Sequence, residues 1–213
     1  MLEVNIWGPP MRTLKNLLLI CFAALAVATS AHAQTAQADR EAMLAHLQKT
    51  KKALEAATKG LSPAQWNFKP APDRWSIAEI YEHITLGESF LFDLIQKGVS
   101  APATPEKKLA GAAEKDLQVQ TMVVDRSQKF QAPDPLKPTG RWTTNQMRQE
   151  FAARRVKSIE FVRTAPQDFR AHILPGPAGE LDAVQWIYFL SGHTERHTAQ
   201  ILEVKADPNF PKK

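Results

Sequence analysis

The chain has 213 residues, with 27 lysines and arginines against 22 acids and a hydrophobic share of 44%. That length suits one domain or two small ones, and the composition is that of an ordinary globular protein. The basic residues are scattered, with no stacking aromatics between them, which argues against a nucleic-acid surface.

Residues 1–33 have the order of a secretory leader. Met11-Arg12-Thr13-Leu14-Lys15 is basic, Leu17 to Val27 is apolar, and Ala31-His32-Ala33 is a small-x-small cleavage site. Met11 reads as the start. The apolar run is 11 residues long, against the roughly 20 that span a bilayer as a helix. The expected mature chain therefore begins near Gln34, is periplasmic or secreted, and has no stable membrane insertion. Its domain is residues 34–213. The leader holds Arg12, Lys15 and Glu3, a net of +1, so the mature chain keeps +4 of the total +5. The single cysteine, Cys21, lies in the apolar run. The mature chain then has no disulfide, no thiolate ligand and no cysteine nucleophile.

Four long helices follow from periodicity and caps. The first is predicted over Asp39 to Lys59, with Met43, Leu44, Leu47 and Leu54 on one face and Gly60 as its stop. Pro63, Pro70 and Pro72 make the next stretch a loop. The second starts at a Ser76/Glu79 capping box with a Trp75/Ile80 staple. Its stripe is Ile77, Ile80, Ile84, Leu91, Leu94 and Ile95, and Gly98 is expected to end it. His83 flanks that stripe, and Gly87, one turn on, would leave room for a ligand or a close helix neighbour.

Residues 99–142 contain Pro102, Pro105, Pro133, Pro135 and Pro138. A connection this long is expected to carry some structure of its own. We assign a short helix over Glu114 to Ser127, with Leu117, Met122 and Val123 turned inward, covering one end of a bundle. The third long helix starts at a Thr143/Gln146 box with a Trp142/Met147 staple, and Ala165-Pro166 ends it. Met147, Phe151, Ile159 and Val162 mark its inner face, and Arg155 sits among them. The fourth runs from Asp182 to about Lys205, with the stripe Trp186, Leu190, His193, His197, Ile201 and Val204. Leu181 and Trp186 form its staple, and Pro175 to Gly179 form the turn before it. No strand pattern stands out. The expected fold is all-α, an antiparallel four-helix bundle with a long connection between the second and third long helices.

His193 and His197 are an i, i+4 pair on one side of a helix. With His83 they place three imidazoles on inward faces, where a shared divalent metal satisfies them together. The competing account is three separately hydrogen-bonded core histidines. The spacing is not that of a zinc peptidase, because Thr194 stands where that motif needs its glutamate. Glu195 points away. No acid falls on the inner faces as read, so the site would have three neutral ligands and open positions. Late first-row ions suit imidazole, with zinc or nickel foremost.

Arg155 on an inner face needs a polar or anionic partner. It is either an internal ion pair, with Glu82 the candidate, or a clamp for a substrate carboxylate. Gln200 reads as a polar edge rather than a histidine-orienting group. Trp75 reads as core, and His46 and His172 as surface or loop residues. No serine–histidine–acid set is apparent.

At Leu61-Ser62-Pro63-Ala64-Gln65-Trp66, at Arg74 through Ile84, and at Leu181 through Trp186 running into His193 to Ile201, the chain resembles the DinB/YfiT-like superfamily. The resemblance covers nearly all of the mature chain. It implies a four-helix bundle and a three-histidine divalent metal site on His83, His193 and His197. It also implies a link to thiol-dependent transferases and isomerases that use low-molecular-weight thiols. An exported chain would meet little reduced thiol. The functions in view are thus a metal-dependent transferase or hydrolase on a small-molecule substrate, a non-catalytic metal- or ligand-binding bundle, and a metal-free scaffold. A homodimer is compatible with each.

Overall fold

The computed structural model describes residues 11–107, 109, 111–177 and 179–212, with side chains from residue 34 onward. The first ten residues of the expected leader, and the side chains of its apolar run, lie outside the described residues. The chain divides into two units, residues 1–39 and Arg40–Lys213. Helix α1 (Met11–Thr58) is assigned across both. Its segment Met11–Asp39 is what is described of the first unit. The assigned helix thus begins well before the expected Asp39.

The second unit holds the rest of α1 with α2 (Pro63–Asn67), α3 (Ile77–Ser100), α4 (Ala112–Val124), α5 (Thr144–Thr164) and α6 (Ala183–Lys205), and a hairpin of β1 (Ile173–Gly176) and β2 (Gly179–Asp182). The caps are those the sequence encodes. Ser76, Thr143 and Asp182 each accept from the backbone three residues on, and Glu79, Gln146 and Gln185 reach back. Ser62 and Gln65 add a fourth box, which starts α2 inside the proline-rich stretch. Gly60, at φ 67°, is the left-handed stop after α1.

Two apolar clusters form the core. One contains Met43, Leu47, Leu91, Ile95, Val162, Ile187 and Leu190. The other contains Leu54, Ile80, Ile84, Met147, Phe151, Ile201 and Val204. A polar layer separates them, with Thr50 from α1, Glu88 from α3, Arg155 and Ser158 from α5, and Thr194 from α6, all buried. The order in which each helix crosses these layers gives its direction. Helices α1 and α6 run one way, and α3 and α5 the other. Helix α3 packs antiparallel on α6 and parallel on α5. The parallel succession of α3 and α5 requires the chain to return along the bundle. This is why the long connection exists.

Besides the earlier start of α1 and the short helix α2 in the stretch expected to be a loop, four expectations are corrected. Gly98 does not end α3, which continues to Ser100. A methyl group at Gly98 would collide with the Leu174 side chain, so the glycine admits the hairpin rather than stopping the helix. The region before α6 forms a β-hairpin, pairing Ile173 with Asp182 and Gly176 with Gly179; two four-residue strands are too short to show alternation. In α4 the buried residues are Asp116, Val119 and Val123, whereas Leu117 is 66% and Met122 37% exposed. Finally, the connection lies along α6 rather than over one end. Asp116 meets Gln185 at 3.1 Å, Val123 packs where Gly192 has no side chain, and Arg126 meets Glu203 at 2.7 Å. Arg170 locks its start, bonding Asp116 through both carboxylate oxygens at 2.7 Å and Asp182 at 3.0 Å.

Candidate metal centre

Antiparallel packing of α3 on α6 sets His83 opposite His197 and Gly87 opposite His193. A methyl group at Gly87 would lie 2.5 Å from His193 Cε1, so the glycine seats that ring. Gly87→Ala is accordingly expected to gain up to about 1 kcal/mol of helix propensity while displacing His193. Zinc titration alongside thermal unfolding should show weaker metal uptake without loss of the fold.

The three rings converge. His193 Nε2 lies 3.1 Å and His197 Nε2 3.2 Å from His83 Nε2, and one ligand atom from each residue lies within 4.8 Å of the others. Two outer nitrogens are held. His83 Nδ1 faces the carbonyl of Leu136 at 2.8 Å, and His197 Nδ1 faces Gln200 Oε1 at 2.8 Å. Each of these contacts places the proton on Nδ1 and leaves Nε2 as a lone pair pointing at the other rings. Burial pushes all three histidines below their usual pKa, His197 to about 3 and His193 well below the ordinary range, reinforced there by His197 and His83. The imidazoles are therefore neutral. Among three facing nitrogens only His193 has a proton to offer, so at least one lone-pair contact is repulsive unless a cation is shared. Bonds of about 2.0–2.1 Å in tetrahedral array would set such nitrogens about 3.3 Å apart. The donor set thus fits a divalent transition metal held by His83, His193 and His197.

The surroundings position these rings. Trp75 lies against His83 with ring centroids 5.1 Å apart. Glu82, one residue before His83, is buried and ties down the end of the connection, accepting from Thr139 N at 3.0 Å, Gly140 N at 2.8 Å and Arg141 Nε at 3.1 Å. Together with the Leu136 carbonyl, these bonds fasten residues 136–141 over the α3 side of the triad.

Several sequence readings change here. Gln200 orients His197 instead of lining a polar edge. Trp75 is a wall of the triad as well as part of the core. Acids do lie on inner faces, because Glu82 and Glu88 are both buried. Arg155 is fully buried and donates to Glu88 through Nε at 2.9 Å and Nη2 at 2.7 Å, to the Leu47 carbonyl at 2.8 Å, to Thr50 at 2.7 Å and to Thr194 at 2.8 Å. All five donors are occupied, so it is an internal ion pair, with Glu88 and not Glu82, and no donor is left for a substrate carboxylate.

His172 is buried, and His46 is half-buried on Ser191 at 2.6 Å, with Glu195 4.0 Å from its other nitrogen. This brings a serine, a histidine and an acid together, against expectation. The Ser191 hydroxyl is fully buried and also donates to the Tyr188 carbonyl, so it is not presented to a substrate. Glu195 pairs with Lys49 at 3.0 Å, away from the triad as expected.

Fold and site together define a helix-bundle protein with an all-imidazole centre of the kind that suggests a divalent metal. The profile of the DinB superfamily matches residues 46–201, and the chain belongs to that superfamily. The uncharacterized protein YuaE of Bacillus subtilis (strain 168) is 29% identical over 149 residues, covering 69% of this chain and 87% of the relative. Among solved structures, YfiT from Bacillus subtilis matches with a TM-score of 0.53 at 13% identity, over 78% of this chain and 85% of that one. YfiT is described as a probable metal-dependent hydrolase with an unusual four-helix bundle topology. At that identity the likeness shows a shared fold.

Proposed function

We propose that His83, His193 and His197 hold one divalent first-row ion, zinc or nickel, and that the chain is an exported metal-dependent hydrolase or transferase acting on a small molecule. The observation that carries this reading is the convergence of three neutral Nε2 atoms within bonding range of one ion. Three protein ligands with no carboxylate among them leave a position open for a reactant. An ion held there supplies Lewis acidity, which acidifies a water or a thiol at neutral pH. The chain's own residues orient and shield. Leu136 and Gln200 fix the two imidazoles they touch, and Trp75 shields His83. Outer partners of this kind commonly change metal affinity by about 10–100-fold when removed. The description of YfiT favours hydrolysis, and the basic, apolar and small-x-small order of residues 11–33 favours export.

Metal analysis of untagged protein supplied with zinc and nickel tests the assignment. The wild type is expected to carry one ion per chain, and His193→Ala to carry none and to lose turnover. Full metal occupancy in that variant would overturn the ligand set. N-terminal sequencing of protein recovered from the periplasm should begin near Gln34; an intact Met11 on that protein would overturn cleavage.

A further inference from the structure

Charged groups gather on one side of the triad. Glu203 follows His197 and Gln200 on α6 in steps of three residues, about 9 Å along the axis from His197. Its carboxylate accepts from Arg126 Nε and Nη2, both at 2.7 Å, and Arg74 Nη2 lies 3.9 Å away. Arg74 precedes Trp75, the ring against His83, and Arg126 follows the end of α4. Glu203 therefore joins two walls beside the histidines. Arg196, next to His197, donates to the carbonyls of Asp125 and Gln128, with the carboxylates of Asp125 and Glu203 within reach of its charge. Two guanidinium groups thus meet one carboxylate that is itself 49% exposed, and the Arg196 charge lies close enough to act on it. Arg196 adjoins His197 in the chain and binds Asp125, the neighbour of Arg126, so these guanidinium groups lie beside the triad. An ion on three neutral imidazoles would add its full charge to this field, and such a field draws anions.

We propose that the ligand of this centre is a small oxyanion, a carboxylate or phosphate, whose far end displaces Glu203 from Arg126. Arg126 is the specificity-determining residue. Its fork-shaped donor pair, now filled bidentately by Glu203, matches either oxyanion. Glu203 holds that place when no ligand is bound, and its exposure lets it swing into solvent. The reacting end lies at the triad, so the ligand spans the distance from the ion to Arg126. This assignment rests on the metal reading above.

The test uses the full chain loaded with cobalt(II), whose visible absorption reports a ligand arriving at the ion. Acetate, glutarate and 3-phosphonopropionate are titrated in turn. Glutarate or 3-phosphonopropionate is expected to bind about tenfold more tightly than acetate, the gain of one charge-assisted contact. The tighter of the two distinguishes carboxylate from phosphate. Arg126→Gln should erase the gain and leave acetate unchanged, whereas Glu203→Gln should enlarge it. A merely structural ion pair predicts that both variants weaken binding alike, and that outcome overturns the proposal, as does equal affinity of all three anions in the wild type. A chain that takes up no cobalt overturns the metal reading itself, and this proposal with it.

Discussion

Glu88→Ala is expected to lower folding stability by about 3–5 kcal/mol, the range for breaking a buried pair and leaving its partner charged. Glu88 and Arg155 are essentially inaccessible to solvent, and water cannot take over the guanidinium. Ser158, which donates to Glu88 at 2.7 Å, loses the shorter of its two acceptors in the same variant and keeps the Arg154 carbonyl at 3.3 Å. Urea unfolding measures the loss; a change below about 1 kcal/mol would show that the pair is not buried as described. The double variant Glu88→Leu with Arg155→Met should recover most of the stability, because an apolar pair of similar volume avoids the desolvation penalty. It should not recover metal binding fully. Arg155 holds Thr194, the neighbour of His193, at 2.8 Å, so the polar layer fixes the register of α6 that aims His193 and His197. Zinc titration of the double variant separates the two roles.

Metal-free protein is expected to lose stability steeply as the pH falls below about 6.5, the ordinary histidine value. The sign follows from where protons bind. The folded-state pKa values of His83, His193 and His197 are depressed, that of His197 to about 3, chiefly by burial. Above about 6.5 both states hold neutral imidazole and nothing is lost. Below it the unfolded chain takes up protons that the folded chain refuses, at about 1.4 kcal/mol per pH unit for each such histidine. The loss attributable to His197 should level off only near pH 3, where the folded state accepts its proton. His197→Asn should flatten the slope between pH 6 and 4 by about one proton. Equal slopes in the two proteins would show that the ring is not kept neutral by its surroundings.

Much of this protein is written locally. The helix starts at Ser76, Thr143 and Asp182 depend on side chains three residues apart, and the stripes of α3 and α6 on a 3.6-residue period. A short window contains that information, and so the bundle and the convergence of His83 with His193 and His197 could be read in advance. Periodicity assigns a face but not a partner. It put Arg155 inside yet suggested the wrong glutamate, because Glu82 and Glu88 are both inward on α3 and only the packing of α5 on α3 selects between them. It also placed Leu117 inward, because α4 has a weakly apolar side whose phase is set by Asp116 reaching Arg170, a contact 54 residues away.

By itself, then, the sequence determined the long helices of the bundle, their caps, and three imidazoles on inward faces. Tertiary structure alone decided that α3 and α5 run in the same direction, that Gly87 makes room for a histidine ring and Gly98 for a leucine, that Gln200 and the Leu136 carbonyl orient the triad, and that Arg126 and Arg74 meet Glu203 beside it. The division has one physical cause. Caps and stripes arise from hydrogen bonds and burial within a few residues, whereas ion-pair choice, close approach and ring orientation depend on atoms that only the folded chain brings within reach.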